Sequence, residues 1–235
     1  MCTKEMAKER NELWCTELGP DPLNWSGEAP LPPPTWARDA FAPMRQAILL
    51  ADAGDLPSSL KTYRDAVPDR VLNDWFHLHA QYTYKWRADL VGIPSPRESH
   101  VPDDERDRPL KGPEDELALA VFARDSYRCR YCTMQLLSPK AFKRYEHYLD
   151  REEFCLAGKA NPPKPGASLV FSLVADHLYP RSRGGLTNLD NLVTSCWACN
   201  YGKMDYSVEE LGIADPRERP PVDDGWDGLR YQRLP

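Results

Sequence analysis

Apolar side chains recur at helical spacing in the N-terminal third of the chain. One helix is predicted to start near Pro43, a favoured first-turn position, and to stop at Gly54. A short helix is predicted over 58–66, and Pro68 opens a longer one, over roughly 68–90. Residues three and four positions apart give the two longer helices a face that can be buried. They are Met44, Ala47, Ile48 and Ala51 in the first, and Val71, Trp75, Leu78, Tyr82 and Trp86 in the last.

Residues 94–114 interrupt this pattern, because they are rich in proline and charge and contain almost nothing apolar. Such a composition favours a solvated linker. The chain therefore divides into a helical N-terminal region of unknown role (1–93), the linker (94–114), a second domain (115–206) and a C-terminal tail (207–235). In the tail, Ser207 and Glu210 are spaced as a capping box for a short helix, and Trp226 anchors an extended segment.

The second domain begins with two predicted helices. The first covers about 115–124, and the second starts after Ser138 and Pro139, which are typical of a helix N-terminus. The segment NPPKPGAS, residues 161–168, is predicted to be a turn-rich connection. The histidines on the predicted helices, His77, His79 and His147, are interpreted as structural.

Residues 172–205 read as a strand, a loop, a second strand and a helix. SLVADHL and LVTSC are short apolar, β-branched runs, and PRSRGGLTNLD between them is rich in turn residues. CWACNYGKMD can start a helix directly after the second strand. This order predicts a ββα unit, so the fold class is α+β.

The cysteines suggest a metal site. Cys129 and Cys132 form one CxxC pair, and Cys196 and Cys199 form another after an interval of 63 residues. Two such pairs suit a tetrahedral thiolate site with no open position, which is structural, with Zn²⁺ as the expected ion and rubredoxin-like iron as the alternative. Redox-active or simply buried cysteines are the competing explanation. The remaining cysteines are expected to be free thiols: Cys2, Cys15 and Cys155.

Composition and charge restrict the class of protein. The chain has 235 residues, with 41% hydrophobic and 28% charged residues, which is typical of a globular protein. It has neither a membrane-length apolar run nor a signal-peptide pattern, so we expect a cytoplasmic location. The net charge is −6, yet residues 121–205 carry 12 Lys+Arg against 8 Asp+Glu. A modestly basic segment between acidic flanks permits a nucleic-acid partner.

The motifs of 121–205 together resemble the HNH endonuclease family, in the branch stabilised by a four-cysteine zinc. The resemblance is carried by Asp176-His177, the PRSRGG loop, Asp190-Asn191-Leu192 and Cys196-x-x-Cys199-Asn200-x-x-Lys203. It implies a ββα-metal, treble-clef-like nuclease domain with a structural zinc. The last histidine of the family motif is replaced here by Asn200. Asparagine also stands at this place in the HNH domain of CRISPR effector nucleases, so the change does not imply an inactive site.

The residues fit phosphodiester hydrolysis, which requires an activated water and compensation of developing negative charge. His177 is expected to be the general base, while Asp176 and Asn200 are expected to hold Mg²⁺ or Mn²⁺. Asn191 is expected either to orient His177 or to pin the loop. The expected phosphate contacts are Arg181, Arg183 and Lys203.

Two functions from different classes follow from this pattern. The first is a metal-dependent endonuclease acting on DNA, which is the expected partner; protein partners cannot be named. The second is a zinc-stabilised nucleic-acid-binding or interaction module with a degenerate site. The joint presence of Asp176, His177, Asn191 and Asn200 favours the enzyme, because a binding module does not need all four. The weak basic charge of residues 121–205 counts against the enzyme, because tight nonspecific binding to DNA is not expected at physiological salt.

Overall fold

A computed structural model describes residues 29–77, 100–112, 114–150 and 164–230 of the chain. Among these residues, no helix is long and apolar enough to cross a membrane. The fold combines short helices with one antiparallel two-stranded sheet. In chain order the elements are α1 (Thr35–Asp39), α2 (Phe41–Asp52), α3 (Leu56–Ala66), α4 (Asp69–Trp75), α5 (Glu116–Arg124), α6 (Pro139–Glu146), α7 (Gly166–Phe171), β1 (Leu173–His177), β2 (Leu192–Cys196) and α8 (Trp197–Lys203).

The predicted helices of the N-terminal region are confirmed where the structure describes them. Helix α2 buries the predicted face of Met44, Ala47, Ile48 and Ala51, and the chain leaves it through Gly54 at a φ of 83°. Helix α3 starts two residues earlier than predicted, because the Asp55 carboxylate accepts a hydrogen bond from the Ser58 N–H. Trp75 of α4 is fully buried. The part of the predicted helix beyond residue 77, including His79, lies outside the described residues.

The prediction of a turn-rich connection over 161–168 is wrong for its last residues, because Gly166 begins helix α7. The cause is a contact from a distant part of the chain. The buried Asp69 carboxylate accepts hydrogen bonds from the backbone N–H groups of Gly166 and Ala167, at 3.0 and 2.8 Å. It thus satisfies donors that a helix N-terminus leaves without partners. A Cβ on Gly166 would lie 2.1 Å from the Asp69 carbonyl oxygen, so glycine is required at this close approach.

The tail also differs in part from its prediction. Ser207 and Glu210 do form the reciprocal hydrogen bonds of a capping box. However, residues 208–212 form consecutive turns rather than a helix. The predicted anchor Trp226 is buried and donates its indole N–H to the Leu136 carbonyl oxygen at 2.9 Å.

The N-terminal helices and the ββα unit share one hydrophobic core among the described residues. The Tyr145 hydroxyl lies 3.1 Å from Ser59 Oγ, which joins α6 to α3. The carbonyl oxygen of Leu31 lies 3.4 Å from Cys199 Sγ, so the chain before α1 contacts the cysteine cluster. Residues 29–77 are therefore packed against the second domain, although the domain boundaries themselves stay a prediction.

The sheet positions the second cysteine pair. Strands β1 and β2 pair with Leu173 opposite Cys196 and with His177 opposite Leu192. Cys196 ends β2 and is also the N-cap of α8, where its Sγ accepts a hydrogen bond from the Cys199 N–H. The first pair, Cys129 and Cys132, lies in the turn that follows α5.

All four cysteines are buried, and their sulfur atoms lie within 4.8 Å of one another. A tetrahedral site with Zn–S bonds of about 2.3 Å would separate its sulfurs by roughly 3.8 Å. The distance from Cys132 Sγ to Cys196 Sγ is 3.9 Å, which agrees with that geometry. The cluster therefore fits a structural zinc with four protein ligands.

We predict that replacing one ligand, as in Cys129→Ser, removes the metal and unfolds the ββα unit. Structural zinc binds with an apparent free energy of about 10–16 kcal/mol, comparable to the whole stability of a domain. Metal analysis and thermal unfolding of the purified variant would check this. Cys155→Ser, with no partner at ligand spacing, is the matched control and should keep the metal. A folded wild-type protein containing neither zinc nor iron would contradict the assignment.

Candidate active site

The Asp176-His177 pair ends strand β1 and opens onto a cleft of about 310 Å³. Adjacent residues on a strand point to opposite sides. The cleft lies between this strand end, the loop that follows it and the exposed side of α8. Its lining includes Asp176, His177, Arg181, Asn200, Lys203 and Asp205.

Asp176 is buried, and its carboxylate is held from two sides. Its Oδ2 accepts a hydrogen bond of 2.7 Å from the Tyr131 hydroxyl, and its Oδ1 lies 3.5 Å from Lys203 Nζ. Burial raises the pKa of Asp176, while the Lys203 charge and the Tyr131 hydrogen bond oppose that shift. Tyr131 stands between Cys129 and Cys132, so the first cysteine pair also positions this carboxylate.

Lys203, expected as a phosphate contact, is fully buried at the C-terminal end of α8. Its ammonium group pairs with Asp176 and also donates to the Met204 carbonyl oxygen at 3.3 Å. A charge buried to this degree requires a partner, and Asp176 supplies it. The structure thus brings Lys203 to the cleft as the counter-ion of Asp176.

His177 is half-buried, and its Nε2 lies 3.0 Å from Thr187 Oγ1. Burial, followed by the positive charges of Lys203 and Arg181, lowers the pKa of His177 to about 4, and Asp107 acts in the opposite direction. An imidazole with that pKa is uncharged at neutral pH, so its free nitrogen can accept a proton.

Asn200 lies in the middle of α8 and lines the cleft. The N-cap of this helix is Cys196, so Asn200 does not serve as the cap. Among the described residues, no hydrogen bond is made by the Asn200 side chain, whereas its backbone carbonyl accepts from the Met204 N–H at 2.9 Å. The amide oxygen is therefore available to a ligand in the cleft.

Asn191 is not brought into the cleft; it holds the loop between the strands instead. Its Oδ1 accepts a hydrogen bond from the Tyr179 N–H at 2.8 Å. Its Nδ2 donates to the carbonyl oxygens of Tyr179 and Leu186, both at 2.9 Å. Of the two roles considered from the sequence, pinning the loop is the one these contacts support.

The two arginines of the loop have different surroundings. Arg181 lines the cleft and donates from its guanidinium to the Asp107 carbonyl oxygen at 2.9 Å. Arg183 is paired with the Glu210 carboxylate, which raises the pKa of Arg183, and it lies over the Tyr179 ring. The loop backbone at Gly185 passes close to the Tyr179 carbonyl oxygen. Glycine is required there, because a Cβ would lie 2.0 Å from that oxygen.

Residues 100–108 were expected to be part of a solvated linker, yet several of them bind the loop. The Val101 N–H donates to the Ser182 carbonyl oxygen at 2.9 Å. The Asp107 carboxylate accepts from the Thr187 N–H at 2.6 Å, and this bond is the largest cause of a lowered Asp107 pKa. We call residues 100–108 the strap.

Sequence reasoning missed three residues that contact the site: Tyr131, Thr187 and Asp107. Tyr131 lies between Cys129 and Cys132, and it carries the single hydroxyl group of that CxxC pair. This hydroxyl was the signal that a nearby carboxylate could be bound there. Thr187 and Asp107 carry no local signal, because their contacts join segments about 80 residues apart.

Comparison with known proteins gives one match. The family model described as HNH endonuclease matches residues 167–205, which contain β1, the loop, β2 and α8. No curated protein and no solved structure matches the chain. The match covers the segment in which Asp176, His177, Asn191 and Asn200 were predicted to act. Residues 167–205 thus match the HNH endonuclease family, and the two cysteine pairs form a cluster suited to zinc.

Proposed function

We propose that this protein is a metal-dependent endonuclease that hydrolyses phosphodiester bonds in DNA. The observation that carries the proposal is the convergence of Asp176, His177 and Asn200 on one cleft of an HNH domain. A base, two oxygen donors and nearby cations are the groups that this hydrolysis requires.

His177 is proposed as the general base that takes a proton from the attacking water. Its uncharged imidazole at neutral pH supports this role, because a protonated ring could not accept the proton. His177 ends β1 and lines the cleft, so a water molecule in the cleft has access to the ring.

Asp176 and Asn200 are the residues that would hold Mg²⁺ or Mn²⁺. A carboxylate and an amide oxygen are hard ligands, and their small number suits an ion whose other positions are filled by water and phosphate. The ion would stabilise the negative charge that develops on the phosphate oxygens. The free amide of Asn200 and the ionised carboxylate favoured by Lys203 both support this fit.

Arg181 is proposed as a phosphate contact, since it lines the cleft. Lys203 also lines the cleft, but its ammonium group is buried and paired with Asp176, so it would act on a phosphate mainly through its charge. Arg183 would first have to leave Glu210, so its main contribution is to the conformation of the loop. Charge-assisted contacts of this kind orient a phosphate without reading its sequence.

The second candidate is a zinc-stabilised nucleic-acid-binding module without catalysis. Lys203 already neutralises Asp176, which favours a site that does not recruit a divalent ion. Conversion of supercoiled plasmid to nicked or linear DNA, with and without added Mg²⁺ or Mn²⁺, separates the two candidates. Binding without cleavage under every metal condition would favour the module.

We predict that His177→Ala keeps its folding and zinc content but lowers the cleavage rate by about 10²-fold or more, since a general base contributes roughly 10²–10⁴-fold. Initial rates of plasmid cleavage would measure this. His147→Ala is the matched control, because His147 follows α6 and does not line the cleft. Cleavage by His177→Ala near the wild-type rate would rule out the general base.

We predict that Asn200→Ala keeps zinc and most of its stability but requires a much higher Mg²⁺ concentration for cleavage. Asn200→His should retain partial activity and prefer Mn²⁺, because imidazole suits softer ions than Mg²⁺. Metal titrations of the cleavage rate, compared with thermal unfolding of the same samples, would check both. If Asn200→Ala cleaves normally at low Mg²⁺, then Asn200 is not a ligand. A loss of activity in step with stability would instead give it a structural role.

A further inference from the structure

Thr187 connects His177 to the strap through its hydroxyl group. The side chain is buried, and Oγ1 makes two short contacts: 3.0 Å to His177 Nε2 and 2.7 Å to the Arg108 carbonyl oxygen. A threonine hydroxyl has a single proton to donate. A carbonyl oxygen can only accept, so the Thr187 proton is directed to Arg108.

The direction of the hydrogen bond between Thr187 and His177 follows from the one between Thr187 and Arg108. With its proton committed to Arg108, Thr187 Oγ1 can only accept from the imidazole. His177 Nε2 must therefore carry the hydrogen, and in a neutral ring Nδ1 is then the nitrogen with the free lone pair. Among the described residues, Nε2 is the only ring nitrogen of His177 with a hydrogen-bond partner.

Contacts of the strap keep the Arg108 carbonyl in place. The neighbouring residue, Asp107, is held through both its side chain and its backbone: the carboxylate accepts from the Thr187 N–H at 2.6 Å, and the carbonyl oxygen accepts from Arg181 at 2.9 Å. Six residues earlier in the strap, the Val101 N–H is bound to Ser182 of the same loop. The acceptor for the Thr187 proton is thus held by the contacts of the strap residues that precede it.

We propose that Thr187 is a positioning residue that holds His177 in the Nε2–H tautomer, with the strap carbonyl of Arg108 setting the direction of the hydrogen bonds. This inference rests on the proposed function, in which His177 is the base. It assigns Nδ1 as the atom that takes the proton from water. It also makes residues 107–108 part of the active site, although they lie about 70 residues before His177 in the sequence.

The tautomer can be measured directly by nitrogen NMR of the full-length, zinc-containing protein labelled at histidine. The His177 signals would be assigned by their loss in His177→Ala. We expect Nε2 of wild-type His177 to give the signal of a protonated, pyrrole-type nitrogen and Nδ1 that of a pyridine-type nitrogen. The opposite assignment in the wild type would overturn the inference without any further variant.

Variants of Thr187 test the consequence for catalysis. Thr187→Val removes the hydroxyl at nearly constant volume, and we expect a mixture of tautomers and a kcat roughly 10-fold or more lower with KM unchanged. The loss should stay within the 10²–10⁴-fold contribution of the base itself. Thr187→Ser keeps the hydroxyl and should restore both the tautomer and kcat.

Thr194→Val is the matched control. It removes another buried threonine hydroxyl, one that donates to the Val121 carbonyl oxygen rather than contacting His177, and it should leave the tautomer and kcat unchanged. Asp107→Ala, which frees the strap, should lower kcat in the same direction as Thr187→Val.

Wild-type kcat in Thr187→Val, or equal losses in Thr187→Val and Thr187→Ser with an unchanged tautomer, would overturn the inference. The inference and the proposed function fail separately. A wild-type protein with the expected tautomer but no cleavage of DNA under any metal condition would refute the proposed function and leave the hydrogen-bond assignment standing.

Discussion

Four buried cysteines that fit a structural zinc constrain the rest of the site. Cys129 and Cys132 follow α5, whereas Cys196 and Cys199 join β2 to α8, so an ion bound to all four would close a long loop of the chain. Cys196 has two roles, because it ends the strand and caps the helix. The angle at which α8 leaves the sheet, and with it the distance from Asn200 to the end of β1, therefore depends on the metal cluster.

Residues next to the cysteines also contact the proposed metal ligand Asp176 directly. Tyr131, between the first two cysteines, donates to Asp176, and Lys203, one turn after Cys199 and Asn200, pairs with the same carboxylate. On the other side of the cleft, Thr187 and the strap hold His177. Asp176 and His177 are thus supported by different parts of the chain. Loss of zinc would disturb Asp176 first, and loss of the strap would disturb His177.

Much of this arrangement could be predicted from local sequence, because each feature has its own residue pattern. The CxxC pairs, the Asp-His strand end, the glycine-containing loop and the helix after Cys196 were all evident, and each was found in the structure. What could not be predicted depends on pairing between distant segments. Helix α7 begins where Asp69 caps it, and the strap is polar like a linker but uses those polar groups to bind the loop. The composition of a segment shows that its side chains are polar, but it does not show which distant groups they bind.

The buried pair of Asp176 and Lys203 is better explained by its effect on the charge of Asp176 than by a contribution to the free energy of folding. Desolvation offsets most of the attraction within a buried ion pair, so such a pair adds little to the free energy of folding. Four thiolates with one Zn²⁺ would carry a net charge of −2, and the Cys129 charge, like burial, raises the pKa of Asp176. Lys203 opposes both effects and favours the ionised carboxylate. Lys203 thus counteracts part of the shift that burial and the anionic cluster impose on Asp176, and the ionised carboxylate is the state in which Asp176 could bind a divalent cation.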